Sequence, residues 1–444
     1  MRSLARARCN RPPNPRARFV LLGLLCGLSF LLYLDRICIA QAAKPIQDEL
    51  HISNTRWGWV LAAFTLAYSV CELPAGRLGD RHGARGVLTR IVVWWSAFTA
   101  LTGAVGGFAS LLATRFLFGA GEAGAYPNAA RVISRWFAAG ERGRVQGVML
   151  AASLLGGAVA PSLAQVCINA LGWRRTFVVF GAAGVLWAWA FWRWFRETPG
   201  EHPSVNRLER DIIGSPGAGT TRDPIPWRRI FQSTNLLLLV SILACSSFTS
   251  YIFFGWFPKY LQEGRGVGAD PSSWMASVLL AAGAVGMLAG GRLHDMLHRR
   301  GARPARCGLP LLLFAAVALA ASTRIEDAWT ATLVIALGYL AMNHMMPVWW
   351  ITTIEVTGRH VGSVFGLLNG AAGLLGAVTS LVLFGRFADW RKAQGFTGRD
   401  QFDPFFLIAA GVLCVAALCW WFVDPAKKLE PDGPPTPRAP GIES

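Results

Sequence analysis

The chain has 444 residues, enough for two or three soluble domains, yet 53% of them are hydrophobic and only 15% are charged. That balance excludes a soluble surface and assigns the apolar excess to lipid. The formal net charge of +18 is scattered between apolar blocks and forms no patch interleaved with aromatics, which excludes a nucleic-acid partner.

The apolar blocks run to roughly 18–24 residues, the length an α-helix needs to cross a hydrocarbon core about 30 Å thick. Residues 1–18 carry six arginines before Phe19; no A-x-A-like cleavage site follows the first block, so this segment reads as a retained basic tail rather than a signal peptide. Spans are predicted at 19–40, 57–76, 87–108, 110–132, 145–168 and 176–195, forming an amino-terminal half over 19–195. The polar stretch 196–235, with Pro199, Pro203, Pro216, Pro224 and Pro226, is the predicted cytoplasmic linker. A second half over 236–423 follows, with spans at 236–258, 273–293, 307–323, 328–350, 361–385 and 404–423, and a tail over 424–444. The expected fold is an all-α membrane protein of twelve transmembrane helices in two six-helix, pseudo-symmetric halves.

Positive residues are retained on the cytoplasmic side of a membrane. With the N-terminus inside, the inner segments hold 30 of the 43 Lys and Arg and the outer loops 11, while Arg36 and Arg115 fall within spans. Both termini are therefore expected in the cytoplasm. The halves also match at one constant offset: Gly76, Arg77, Leu78 and Asp80 recur as Gly291, Arg292, Leu293 and Asp295, Gly143-Arg144 and Gly147 as Gly358-Arg359 and Gly362, and Trp59 as Trp274. An internal duplication is the simplest cause, and parallel six-span repeats are a transporter architecture. The nine cysteines lie mostly inside apolar blocks, with no CxxC and no Cys/His ligand spacing, so neither a metal nor any other cofactor is called for.

The string from Gly76 to Arg85, GRLGDRHGAR, sits where span two leaves the membrane. Its charges and glycines, with Gly291 and Asp295 in the second half, suit a gating latch built from Gly76, Asp80, Arg81 and Arg85; ordinary positive-inside charge would require neither the glycines nor Asp80. The string resembles the signature loop of the major facilitator superfamily, and Arg115-x-x-x-Gly119-x-Gly121 resembles its fourth-span motif. Tyr33-Leu34-Asp35-Arg36, the run from Arg115 to Ala123, Pro127-Asn128 and Glu141-Arg142-Gly143-Arg144 are similar to the anion:cation symporter family within it, which includes bacterial carriers of galactonate, hexuronate, glucarate and phthalate. The likeness runs through 30–200 and is thinner afterwards. The fourth-span string also spells GxGxxG at Gly119, Gly121 and Gly124. No strand precedes it, so close helix packing explains it better than a dinucleotide site.

Charges inside spans are costly, roughly 2.5–3.5 kcal/mol each on insertion scales, and need a partner or a purpose. Arg115 and Glu122 are seven residues apart, nearly one face of a helix. Asp35 lies near the outer third of span one, within reach of Arg115. Asp35, Arg36, Arg115 and Glu122 sum to zero, so a proton on either carboxylate makes the site cationic and favours an anion. Arg36, with its planar fork, is expected to hold the substrate carboxylate; Asp35 and Glu122, with Arg115, are expected to couple protons. A static charge network stapling spans one and four is the alternative. Tyr68, Tyr251 and Asn369 sit where the resemblance places pocket residues, and Ser153 offers a further hydroxyl. Glu72, one turn before Gly76, reads as a partner of inner-loop arginines.

The resemblance implies a monomeric secondary transporter of the plasma (bacterial inner) membrane, taking up a sugar acid or related carboxylate with protons by alternating access. Span eleven reads Gly373-Leu374-Leu375-Gly376 and span five Ala151-Ala152-Ser153-Leu154, where that family has larger polar groups, so an aromatic or dicarboxylic acid stays open. An organophosphate exchanger of the same fold would need a buried cation from each half, and span seven offers only Lys259 at its outer end. The dispersed histidines and the absence of an appended soluble domain argue against an enzyme.

Overall fold

The structure, a computed structural model, describes residues 17–138, 140–213, 227–299, 304–357, 361–424, 427 and 429. Helices dominate, and no strand occurs among the described residues. In chain order they are α1 (Ala17–Gln41), α2 (Ala43–Leu50), α3 (Asn54–His82), α4 (Ala84–Thr102), α5 (Phe108–Glu122), α6 (Ala125–Trp136), α7 (Arg142–Trp194), α8 (Arg207–Ile213), α9 (Trp227–Gln232), α10 (Thr234–Gly255), α11 (Phe257–Lys259), α12 (Ala269–Arg299), α13 (Gly308–Ser322), α14 (Ala328–Thr357), α15 (Val361–Ala372), α16 (Thr379–Ala393) and α17 (Arg399–Phe422). With no water in the hydrocarbon, every backbone polar group must be satisfied within its own segment, which is why the apolar blocks become helices.

Spans one to three are α1, α3 and α4. Span four is not the single helix expected over 110–132. It is α5 followed by α6, broken where Ala123 turns extended and Gly124 adopts φ 89°. A side chain at Gly124 would be strained by that φ and would also meet the Ala75 methyl at 2.7 Å. The Asn128 amide closes the break by donating to the Gly124 carbonyl at 2.8 Å. Spans five and six run together as the 53-residue α7, separated only at Gly172, where φ is 78° and ψ 159°. Spans seven to ten are α10, α12, α13 and α14; span eleven is α15 and α16 joined by a π-helical stretch, Gly373–Val378; span twelve is α17.

The chain divides into two compact units, one of residues 1–52 and 66–221, the other of 53–65 and 222–444. In the first, α1 and α4 pack along α7, and α4 along α5. Small residues permit the approach: a Cβ on Gly156 would stand 2.6 Å from the Phe30 carbonyl oxygen, and one on Gly121 would fall inside the Trp94 indole. The packing role expected for the GxGxxG string is thus visible at Gly121. In the second unit α12 packs along α14, and α13 along α14 and α17, with Gly286 and Gly290 set against the carbonyls of Leu340 and His344. Residues 53–65, the first turns of α3, belong to this unit. The Asp389 carboxylate accepts from the backbone N–H of Asn54 at 3.2 Å and of Thr55 at 2.7 Å.

One arginine in each unit clasps the connection between two spans. Arg174 donates to the carbonyls of Gly103 and Val105 and to Glu49. Arg265 donates to those of Ser322 and Ile325. The Trp173 indole N–H, 2.6 Å from Glu49, and Arg174 hold the Glu49 carboxyl below the usual carboxylate range. The eight described cysteines are all free thiols.

Candidate functional site

The buried charges converge in the first unit. Asp35 and Arg36 are consecutive on α1, and so diverge by about 100° around the helix. Asp35 is 1% exposed; its polar and charged neighbours are Trp95 and Thr99 on α4 and Arg115 and Glu122 on α5. Arg36 turns the other way and makes an ion pair with Glu122 through both Nε and Nη2. The two partners differ in access: the Glu122 side chain is 0% exposed and that of Arg36 17%.

Aromatic rings flank the guanidinium. The Arg36 Cζ lies 4.6 Å from the Tyr68 ring centroid and 5.6 Å from that of Tyr33, close enough for cation–π attraction. Arg115, 2% exposed, lies over Phe118 at 4.5 Å. Because α5 is unbroken from Phe108 to Glu122, Arg115 and Glu122 do share one stripe of it. Glu122 is the last residue before the break, held at the edge of the buried cluster by the same Ala123–Gly124 turn that ends the helix.

Asp35, Arg36, Tyr68, Arg115 and Glu122 are therefore brought together. Tyr251 and Asn369 belong to the second unit. Tyr251 is half-buried on α10, edge-on to Phe254 at 5.6 Å, and Asn369 is exposed on α15, four residues before the π-helical stretch. Ser153 is 2% exposed, and its hydroxyl is bonded to that of Tyr126 at 2.7 Å. Tyr126, one residue into α6, was not foreseen, since its placement depends on the break. Glu72 was set aside as an inner-loop partner, yet it stands among the charged neighbours of Tyr68; the i, i+4 spacing of the two on α3 carried that signal.

Of the expected gating residues, the side chains of Asp80, Arg81 and Asp295, and Gly76, lie outside the described residues. Gly291 faces open space, where a Cβ would meet nothing within 4 Å. Arg85 is described: its guanidinium donates to the Trp192 carbonyl at 2.6 and 3.2 Å and lies 4.3 Å from the Trp192 ring. Beside it stands Glu197, which the sequence reading missed. Its carboxylate accepts from the backbone N–H of Ala84 and Arg85 at 3.0 and 3.1 Å and pairs with Arg135. It thus caps the α4 N-terminus, where negative charge is favoured. No group of three or more potential metal ligands occurs among the described residues.

The family model described as Major Facilitator Superfamily matches residues 25–381. The chain belongs to the major facilitator superfamily. It is 30% identical over 418 residues to the "Probable sulfoacetate transporter" of Cupriavidus necator, covering 92% of this chain and 94% of that protein. It is 30% identical to the "Probable L-galactonate transporter" of Escherichia coli, over 77% and 76% of the two chains. The "Hexuronate transporter" of Bacillus subtilis is 28% identical, over 87% and 90%. Among solved structures, a bacterial homologue of the lysosomal transporter Spinster superposes with TM-score 0.77 at 19% identity, covering 92% of this chain and 97% of its own. A D-xylose–proton symporter superposes with TM-score 0.73 at 15% identity, over 93% and 99%. At those identities the likeness speaks for the fold alone, and it agrees with twelve transmembrane helices. This superfamily member is an integral membrane transporter, not an enzyme.

Proposed function

We propose that the protein takes up a small organic anion by proton symport, with Glu122 as the switch that makes Arg36 available to substrate. The observation that carries this reading is the ion pair between a fully enclosed Glu122 and a partly accessible Arg36. While Glu122 is ionised it occupies the fork of Arg36. A proton taken up by the Glu122 carboxylate cancels its charge and leaves the guanidinium free for a carboxylate or sulfonate, which it binds through two parallel N–H donors. Loss of that proton on the other side re-forms the ion pair and expels the anion. Asp35, beside Arg115, is a second carboxylate able to carry a proton, and Arg115 keeps the cluster neutral when both acids are ionised. Tyr68 flanks the bound anion, and Tyr251 and Asn369 are proposed as further substrate-binding residues. Access alternates between the two faces, with Arg85, Asp80, Arg81, Gly76, Gly291 and Asp295 in the inner latch. The two six-helix halves, 19–195 and 236–423, are joined by a cytoplasmic linker; both termini are cytoplasmic, the membrane is the bacterial inner membrane, and the monomer is the working unit.

The relatives' names, a probable sulfoacetate transporter, a probable L-galactonate transporter and a hexuronate transporter, support a small carboxylate or sulfonate as cargo. The commitment of the Ser153 hydroxyl to Tyr126 favours an acid with few hydroxyl groups. Lys259, 3% exposed and paired with Glu263 at 2.7 Å, offers no second anion-binding cation, so a phosphate ester is disfavoured. The test is uptake into proteoliposomes under an inward proton gradient, with sulfoacetate, galactonate, glucuronate, benzoate and glycerol 3-phosphate as labelled probes. Accumulation of one or more of the first four is expected; accumulation of neutral or cationic solutes alone would overturn the assignment.

A further inference from the structure

The helix α9, Trp227–Gln232, plays no part in the transport cycle just described. Its wheel is sharply divided: Trp227 and Phe231 fall about 40° apart on one side, with Ile230 next to them, while Arg228 and Arg229 fall on the other. The protein covers only part of the apolar arc. Ile230 is 3% exposed and anchors the helix, whereas Trp227 is 50% and Phe231 62% exposed, their rings stacked at 6.5 Å between centroids.

Two further observations fix what covers the remainder. Only Ser233 separates α9 from α10, a membrane span whose Leu237 is 51% exposed to lipid one turn in, so the exposed rings stand at the edge of the hydrocarbon. The Asn235 side-chain amide donates to the carbonyls of Asp424 and Lys427 at 2.6 and 3.0 Å, tying the end of α17 to the same corner. That end brings exposed Trp421 and Phe422 and the exposed Lys427. Exposed aromatic rings beside Arg228, Arg229 and Lys427, with Asp424 and the exposed Glu355, next to the Val356 carbonyl that accepts from the Leu429 N–H, as the carboxylates among the described residues of this corner, match a headgroup layer that is negatively charged.

We infer that α9 and the end of α17 form a binding surface for anionic phospholipid, with Trp227 and Phe231 seated among the acyl chains and Arg228 and Arg229 on the phosphates.

Native mass spectrometry of the full-length protein, released from mixed phosphatidylglycerol and phosphatidylcholine, tests this without reference to any substrate. The wild type is expected to retain phosphatidylglycerol preferentially. The R228Q/R229Q variant is expected to lose about 20–30-fold in that preference, at about fivefold for each cation near the surface. Arg324→Gln, an exposed arginine between α13 and α14, serves as control and is expected to change nothing. The thermal midpoint in vesicles of the two lipids gives a second readout: phosphatidylglycerol raises it for the wild type and not for W227A/F231A. Equal retention of both lipids by the wild type, an unchanged preference in R228Q/R229Q, or a second copy of the chain retained in place of lipid would each overturn the assignment.

Discussion

Glu122→Gln is the sharpest perturbation of the site, because it keeps the shape and one acceptor oxygen while removing the charge that holds Arg36. A hydrogen bond involving a charged partner contributes roughly 1.5–3 kcal/mol, and the Arg36–Glu122 ion pair includes one such bond, donated by Nε, in a largely enclosed setting. Taking about 2 kcal/mol as the advantage of the carboxylate over the amide, the fraction of molecules with an available Arg36 rises by about 30-fold at a pH where Glu122 is ionised, and the apparent dissociation constant falls in proportion. The expected phenotype is therefore divided. Anion binding at alkaline pH, followed by tryptophan fluorescence or calorimetry, tightens by up to about 30-fold and loses its pH dependence; exchange of internal for external anion persists; accumulation against a gradient disappears. Weaker binding at alkaline pH together with undiminished accumulation would refute the competition between Glu122 and substrate and return the cluster to a static staple.

Three other outcomes follow from packing and capping. Gly121→Ala places a methyl inside the Trp94 indole and is expected to cost about 1–3 kcal/mol through overpacking, read as a lowered thermal midpoint in detergent, whereas Gly23→Ala, with nothing within 4 Å, leaves it unchanged. Asp389→Ala removes the carboxylate that caps the first turn of α3 and is expected to cost about 1 kcal/mol, also read as a lowered midpoint, with Asp389→Asn in between. His202, 4% exposed between the rings of Trp136 and Trp194, accepts from the Ser204 N–H. Burial first, and then the charge of Arg196, push its pKa below the ordinary value, against the Trp194 bond and Glu209. A depressed histidine stabilises the docked segment above the unfolded value of about 6.5 and loses that contribution as pH falls through the lower folded value. The protection of residues 199–213 against hydrogen exchange, after correction for the fall of the intrinsic amide rate with pH, is therefore expected to decrease below about pH 6, and a pH-independent protection factor would contradict the buried-neutral assignment.

The spans were readable because lipid imposes length on every apolar block, so their order followed from composition, although span four is broken into α5 and α6 and the ends expected at 350 and 385 extend to Thr357 and Ala393. The charge cluster was readable for a related reason. An ionisable residue inside a span is so expensive that Asp35, Arg36, Arg115 and Glu122 announced themselves, and helical geometry already put the last two on one stripe. The partnering was not readable. Whether Glu122 meets Arg36 or Arg115 depends on how α1 is rotated within the first unit, which close contacts such as Gly156 of α7 against Phe30 of α1 help to hold. The break at Ala123–Gly124 stayed hidden because a glycine within an apolar run reads equally as a packing residue or as a turn. Tyr126 and its bond to Ser153 were missed with it. Glu197 escaped because a lone acid among arginines at a span end looks like ordinary loop charge until the α4 N-terminus is seen to need a cap.

The central claim is that anion and proton travel together. Its most direct measurement is the pH inside proteoliposomes loaded with a trapped fluorescent indicator, with the membrane potential clamped, on addition of whichever anion the uptake panel identifies. The lumen of wild-type vesicles is expected to acidify as the anion enters, and that of Glu122→Gln vesicles to stay constant. Anion entry into wild-type vesicles with no change of internal pH would contradict proton symport, and with it the role given to Glu122.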